Sequence, residues 1–558
     1  MAVTREELDT LQTVKEGLES QRKRFREGRW REITRFCLPE LDDGKDDRFD
    51  HRPVYSTAAQ RFTAIAADAL QGWAYGSSIS WVRLALEGYR EDDLTGDVKA
   101  YLQAVENTVT DELRRSNFYD AAIPFTKTGF NLSTAVMLID FDEEGDSLIF
   151  QSLNPWNCCL AQDRHGEIDC LMHDLWLDRD GALDAFGDDC PEMIAGAKQS
   201  PTEMYKFCKA VVSSRRYDLS VDGDDEWVEV IWYDGSREKA VSERRLAYKP
   251  FAVWRFSTAL NGFAWGTGSP GERCLPDILA LNAMEKSALK GVQLRNEPPI
   301  KATEGLAVSI KPNGITYLSG NQDYQYAPLP GSTQEIEAKI AEKEQNLREA
   351  YYVDFFLVLQ QTMQQQKTAT EASLLADEKS QIMASFSSRL NREFLEPVLE
   401  AAVAILTRYG KLPRHPESIS GETIRVDYIS PLATAQRKAQ LYAPARTFVM
   451  ELASLAQVDP SVTQMLKLGV YAEKMADILN VPREILMGAD EYEKLKAEQQ
   501  KQAQEQMMAE QQRADADAKA KQYQAYAKAA EEGSPAAAQE EQAPGKTGQR
   551  MTGGIRQR

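Results

Sequence analysis

Histidine is scarce in this chain, with four among 558 residues: His51, His165, His173 and His415. That excludes most chemistry built on imidazole clusters. Cysteine is sparse and odd in number, seven in all: Cys37, Cys158, Cys159, Cys170, Cys190, Cys208 and Cys274. A scattered odd set argues for reduced thiols, not a disulfide framework. Long apolar runs are missing too. None approaches the ~20 residues needed to cross a bilayer, and residues 1–6 carry no apolar signal region. The expectation is a soluble protein with no membrane contact that stays in the compartment where it is made. Positive charge is in deficit, with 66 Lys and Arg against 86 Asp and Glu, a net charge of −20. Proteins that grip DNA through its phosphates usually show a basic face. Tight DNA binding is therefore not expected, and an acidic surface discourages nucleic acid from sticking. G-x-S-x-G, H-E-x-x-H and any nucleophile–base pair are absent, as is a repeat of fixed period. No catalytic, metal or cofactor residues are assigned.

What is present allows a large core: 42% of residues are hydrophobic, in a length suited to about three or four domains. Thr4-Arg5-Glu6-Glu7 is a capping box that opens a helix. The helix continues as a basic stretch, residues 22–35 around Trp30, read as an exposed helix face. Residues 41–50 are charged and turn-like. Residues 56–75 form a small-residue helix, and 97–117 an amphipathic one through Val98, Leu102, Val105, Val109 and Leu113. Then β-formers cluster between turns over 134–140, 147–153, 168–177, 228–233 and 247–256. This predicts an antiparallel sheet region with Trp227, Trp232, Trp254 and Trp265 in its core. Thr368-Ala369-Thr370-Glu371 is a further capping box. It starts a long helix striped by Leu375, Ile382, Phe386, Leu390, Phe394 and Val398, which Pro397 should bend or break. Residues 431–488 read as short helices and 491–530 as a long polar helix. Gly, Pro, Ser and Gln dominate 531–558, where disorder is expected. The fold class is α+β, mostly helical.

Four motifs invite chemistry and fit poorly. Gly266-Thr267-Gly268-Ser269-Pro270-Gly271 matches G-x-G-x-x-G. Its strand ends ten residues early, however, the acid at the right offset (Glu285) lies inside a helix, and Pro270 removes an N–H. A flexible hinge between sheet and helix is the plainer reading. Gly545-Lys546-Thr547 would need a glycine where Glu540 stands. Cys158, Cys159, His165, Cys170 and His173 lack the paired spacing of zinc sites. Asp42, Asp43, Asp46 and Asp47 lack the calcium-loop glycine and terminal glutamate.

Residues 271–370 are the most informative. A helix over 275–295 carries Leu275, Ile278, Leu281, Met284, Ala288 and Val292 and stops at Pro298-Pro299. A β-rich insert follows. Ser332-Thr333-Gln334-Glu335 then caps a second helix whose apolar positions are only Ile336, Ile340, Leu347 and Tyr351. So polar a helix needs partner helices or a wet surface. A glutamine-rich loop comes next.

Three ordered stretches together resemble the head-to-tail connector, or portal, proteins of short-tailed double-stranded DNA bacteriophages. They are Tyr55-Ser56-Thr57 through Ala69-Leu70-Gln71-Gly72 to Trp81; Trp254-Arg255 through Gly266-Thr267-Gly268, Leu275-Pro276-Asp277-Ile278, Leu281-Asn282 and Pro298-Pro299; and Thr368–Glu371 with its helix to Phe394-Leu395-Glu396-Pro397. They cover roughly residues 1–430. The resemblance implies a ring of identical subunits, typically a dodecamer, at one capsid vertex of the virion, assembled in the host cytoplasm. Genomic dsDNA passes through without tight sequence-specific binding. Terminase, tail adaptor proteins and the major capsid protein are the implied partners, and the chemistry lies in the packaging ATPase, not here. Carried over, 1–270 holds N-terminal helices and a wing, 271–295 and 332–352 the two stem helices, 296–331 the clip, and 353–367 a tunnel loop. Residues 368–430 give a kinked wing helix and 431–530 a helical crown or barrel, where the departure is greatest. The implied tunnel-loop residues are Gln360, Gln361, Gln364, Gln365, Gln366 and Lys367, which touch a moving duplex without trapping it. Lys286, Lys290 and Arg295 are stem candidates, for weak phosphate contacts or for ion pairs between subunits. Twelve copies would sum to about −240, a wall that does not hold polyphosphate. Two rivals remain open: a nucleotide-dependent oxidoreductase resting on residues 266–271, and a helical scaffold or internal virion protein resting on the polar C-terminal helix.

Overall fold

The computed structural model describes residues 3–42, 50–77, 81–86, 88–89, 94–198, 200, 202–217, 219, 226–236, 239–259, 262–309, 315–326, 334–357, 388–414, 416, 424–428, 448–452, 508, 513–514, 516–525 and 528. The chain divides into two units, residues 1–439 and 440–558. In the second, the described residues are all helical, and those from 508 on are exposed. The disorder expected over 531–558 lies outside the described residues.

The first unit opens with α1 (Arg5–Arg22), capped by Thr4 and Glu7 in the predicted box. Leu8 and Leu11 join the cluster of Cys159, Cys170, Met172, Cys208 and Trp232. Lys15 pairs with Asp174 at 2.8 Å. A π-helical turn, Lys23–Glu27, leads into α2 (Gly28–Cys37). The exposed-face expectation holds for Lys23, Arg24, Arg29 and Arg31, which are exposed, but not for Arg22, Arg26 and Trp30, which are buried. Spaced at i, i+4 and i+8, they share one face, and that face turns inward. Trp30 meets Trp156 and Trp265 edge-on at 5.8 and 5.0 Å.

The chain continues through α3 (Ala58–Ala74), β1 (Val82–Leu86), α4 (Gly96–Arg115), α5 (Phe118–Leu132), β2 (Thr134–Asp142), β3 (Ser147–Leu153), β4 (Cys158–Gln162), β5 (Ile168–Leu177), α6 (Arg179–Phe186), α7 (Glu192–Ala195), β6 (Tyr205–Ser213), β7 (Trp227–Tyr233), β8 (Ala240–Leu246) and β9 (Phe251–Arg255). An antiparallel sheet runs β4-β5-β6-β7-β8, and a second runs β3-β2-β9. The expected strand over 247–256 is in fact a corner followed by β9. Pro250 lacks an N–H for a ladder, and its carbonyl accepts instead from Ile139 N at 2.9 Å. Trp232, Trp254 and Trp265 are fully buried as expected, while Trp227 is only half-buried.

After the hairpin described below, residues 353–357 are helical, with Val353, Phe355 and Phe356 buried. The expected loop over 353–367 therefore starts no earlier than 358, because its first residues are core-forming. Gln360, Gln361, Gln364, Gln365, Gln366 and Lys367 lie outside the described residues, as does the capping box at 368–371. The later helix passes through a π-helical turn, Asn391–Leu395, into α11 (Glu396–Arg408). Pro397 does not break it. The wider turn just ahead accommodates a residue with no N–H. Arg255 clamps this turn through Glu393 at 2.6 Å. Finally β12 (Ile424–Tyr428) pairs antiparallel with β1.

Candidate functional site

Between Ser269 and Tyr352 the chain forms a helical hairpin that buries little of itself. It comprises α8 (Pro270–Arg273), α9 (Leu275–Asn296), a small antiparallel ladder of β10 (Ile300–Ala302) with β11 (Tyr324–Tyr326), and α10 (Gln334–Ala350). α9 starts with proline near its first turn and stops just before Pro298-Pro299, as predicted. Ile278 and Leu281 are buried, but Leu279, Leu289, Val292 and Leu294 are exposed. The apolar residues are not confined to one stripe; beyond Met284 they occupy several sides. In α10, Leu347 is buried and Ile336 and Ile340 are half-buried. Lys343 of α10 bridges to Asp277 of α9 at 2.7 Å. On the insert, Ile315, Tyr317, Leu318 and Tyr326 are exposed, Tyr317 at 82%.

The three stem candidates separate. Lys286 and Lys290, four apart, share a face, whereas Arg295 sits nine residues from Lys286, about 180° round the helix. They therefore do not line one surface. The Lys286 ammonium rests 5.3 Å from the Tyr55 ring, and Tyr55 N donates to Asn282 Oδ1 at 2.7 Å. Arg61 reaches Glu344 of α10 at 3.3 Å. Residues 55–61 thus strap one flank of both helices.

The base of the hairpin is a buried polar knot centred on Asn131, at the end of α5. Tyr351 Oη donates to Asn131 Oδ1 at 2.6 Å. Burial pushes that phenol well above its usual pKa, so it stays a donor. Asn131 Nδ2 donates to Thr63 Oγ1 at 3.1 Å and to the Lys127 carbonyl at 2.8 Å. Ser269 Oγ donates to the Asn131 carbonyl at 2.9 Å. Both ends of the hairpin are thereby tied to one side chain and its backbone. Sequence reading missed Asn131. Its signal was a lone amide among Phe130, Leu132 and the other apolar residues of α5.

The glycine motif belongs to this knot. Gly266 N donates to Thr134 Oγ1 at 2.8 Å, Gly268 N to Glu272 Oε2 at 2.7 Å, and Ser269 N to Ser133 Oγ at 3.1 Å. These amides, which a dinucleotide phosphate would need, are already occupied. The loop is also no flexible hinge: an added Cβ at Gly266 would lie 1.9 Å from the Ser133 carbonyl oxygen, and one at Gly271 2.7 Å from Asn131 Cα. Arg26 pairs with Glu272 at 3.4 Å, fixing α2 to the same loop.

The cysteine–histidine set does not converge either. Cys158 lies across from His173, while Cys159 and Cys170 sit on the opposite face of the same sheet. Adjacent strand residues alternate faces, so the sheet itself separates the two pairs. Burial pushes the Cys159 and Cys170 thiols up to about 11 and 12. Among the described residues no group of three or more metal-ligating side chains occurs, and no helix is long and apolar enough to cross a membrane.

The bacteriophage head to tail connecting protein family matches residues 8–486. The chain belongs to this family. As a head-to-tail connecting protein it is similar to the portal protein of Salmonella phage epsilon15, 23% identical over 505 residues that cover 87% of this chain and 90% of the relative. It is also similar to the probable portal protein of Bordetella phage BPP-1, 24% identical over 503 residues, covering 85% and 89%. The matched span contains the whole hairpin and its knot.

Proposed function

We propose that the chain is a phage portal subunit. Identical copies close into a ring, typically a dodecamer, at one capsid vertex, and genomic dsDNA is packaged and later ejected through its bore. The observation that carries this is a family member whose longest hairpin leaves leucines bare on several sides while its base is locked into the core. α9 and α10 serve as the stem. The insert, with exposed Ile315, Tyr317, Leu318 and Tyr326, serves as the clip that docks terminase and then tail adaptors. The sheet region forms a wing toward the major capsid protein, residues beyond 431 a crown, and Gln360–Lys367 the tunnel loop. The protein acts by shape and carries no catalysis of its own. The oxidoreductase alternative loses its support, because the motif's amides are spent inside the fold.

Negative-stain imaging and native mass measurement of the purified full chain test this reading. A closed ring of about twelve subunits with a central hole is expected; a monomer that binds nicotinamide, or a heterogeneous rod, would overturn it. Deleting residues 360–367 should leave the ring intact and impair packaging or DNA retention. Failure to assemble would count against the tunnel-loop role.

A further inference from the structure

The outer strand of the β3-β2-β9 sheet is β3, and an outer strand offers unpaired amides and carbonyls to any second strand that arrives. Its residues are Ser147-Leu148-Ile149-Phe150-Gln151-Ser152-Leu153. The run holds no charge, no glycine and no proline, and four of its seven residues are Leu, Ile or Phe. Such a run pairs readily with copies of itself. Asp142, Glu143, Glu144 and Asp146 stand before it and Pro155 after it, but no such breaker lies within it.

The bonds show which residues form the free edge. Ile139, opposite Phe150 on β2, donates its N–H to the Pro250 carbonyl at 2.9 Å, away from β3. Phe150 therefore turns its own N–H and C=O outward, since opposed residues alternate between bonded and unbonded pairs. Leu148 and Ser152, two places to either side, turn the same way. Among the described residues neither has a backbone partner on that side.

Phe150 is different. Asn117 Nδ2 donates to its carbonyl at 2.8 Å, and its N–H donates to Asn117 Oδ1 at 2.8 Å. One side-chain amide thus supplies the donor and the acceptor that a neighbouring strand would bring, at the midpoint of the edge. Asn117 is exposed, so the pairing sits at the surface. The residue gives up an ordinary task to make it. It stands at the N-cap of α5, where asparagine normally accepts from a first-turn N–H. Here it makes no such bond, and Ser116 Oγ accepts from Phe118 N at 3.2 Å instead.

We infer that Asn117 plugs the β3 edge, and that the occupant it turns away is β3 of a second copy of this chain. Paired antiparallel about a two-fold axis at Phe150, two such edges set Phe150 against Phe150 and Leu148 against Ser152, so every outward group finds a partner. The plug acts on each copy separately and does not depend on the ring.

The test compares full-length Asn117→Ala with the parent, once circular dichroism has shown that the variant folds. With both bonds gone, exchange of the Phe150 amide should accelerate about tenfold or more. Sedimentation should show species larger than the parent's, growing with concentration. Gln151 is exposed, and adding Gln151→Lys puts a charge within the run. The size should return to the parent's while the fast exchange remains. Tyr351→Phe, which loosens the chain elsewhere, should keep the parent's size throughout. An Asn117→Ala protein of the parent's size overturns the inference, as does association that Gln151→Lys leaves unchanged or that Tyr351→Phe equals. Should the alanine variant not fold, Asn117→Asp takes its place, because it keeps the acceptor for Phe150 N and loses the donor; the same outcomes decide.

Discussion

Replacing Gly266 by alanine tests most directly whether the glycine loop is a packed joint. The new Cβ would stand 1.9 Å from the Ser133 carbonyl oxygen, inside the 3.0 Å that real Cβ atoms respect. The obstacle is backbone, so no rotamer relieves it. Ser133 is itself held at φ 61°, and its carbonyl accepts from Phe256 N at 3.0 Å. Opening the gap by about 1 Å strains that bond, the bond from Gly266 N to Thr134 Oγ1, and the contact of Ser133 Oγ with Ser269 Oγ at 2.8 Å. Overpacking alone costs ~1–3 kcal/mol, and each buried hydrogen bond weakened adds ~1. A loss of about 3 kcal/mol or more is expected, a drop in unfolding midpoint on the order of 3–6 °C for a unit this large. Buried Trp265 next door gives the fluorescence probe. Gly72→Ala, inside α3 with nothing within 4 Å of its added Cβ, is the control and should gain ~0.5–1 kcal/mol. If Gly266→Ala melts with the parent, the joint is not close-packed and the hinge reading returns. If stability holds but a dinucleotide ceases to bind, the loop is a cofactor site after all.

Tyr351→Phe removes the phenol that Asn131 Oδ1 accepts from; the loss should be ~1–2 kcal/mol in urea unfolding, and a neutral result would mean the knot does not anchor α10. Burial, then the neighbouring Lys209, pushes His173 down from 6.5 to about 4. The unfolded chain therefore binds more protons between those pH values, and stability falls as pH drops from 6.5 toward 4, by about 3 kcal/mol from this group. His173→Gln should flatten that part of the stability–pH curve; an unchanged slope between parent and variant would refute the assignment.

How much of this was legible in the sequence depends on whether periodicity carried the signal. The strands Ser147–Leu153 and Ile168–Leu177 match residue for residue, because turn residues bracket their β-formers. β4, β6 and β8 were not anticipated. β8 is Arg- and Glu-rich on an edge, and its charges are spent on neighbouring strands, as in Arg244 with Glu229 at 2.8 Å. α5 was invisible for a different reason: it is buried on most sides and holds Pro124, so it shows no one-sided stripe. α9 illustrates the limit at the site. Its first half obeys a stripe because it packs on its own core. Its second half breaks the stripe because it leaves that core, and Leu289, Val292 and Leu294 are exposed. Asn131 and the glycine loop could not be found by pattern, since they are joined only through contacts more than 130 residues apart in sequence.

That contrast carries a mechanical argument. A hairpin that leaves leucines uncovered is unstable as a free arm, so it needs both neighbouring surface and a fixed root. The root is polar, and the reason is directional. Leucine packing tolerates sliding at little cost, whereas the Tyr351–Asn131–Thr63 and Ser269–Asn131 bonds fail steeply with angle. In the proposed ring, a greasy root would let each copy's hairpin tilt independently, and small errors in tilt would accumulate until the last interface missed. A knot of short buried hydrogen bonds fixes the tilt within the chain itself. Closure of the proposed ring would then demand of the outer faces only modest, exchangeable contacts.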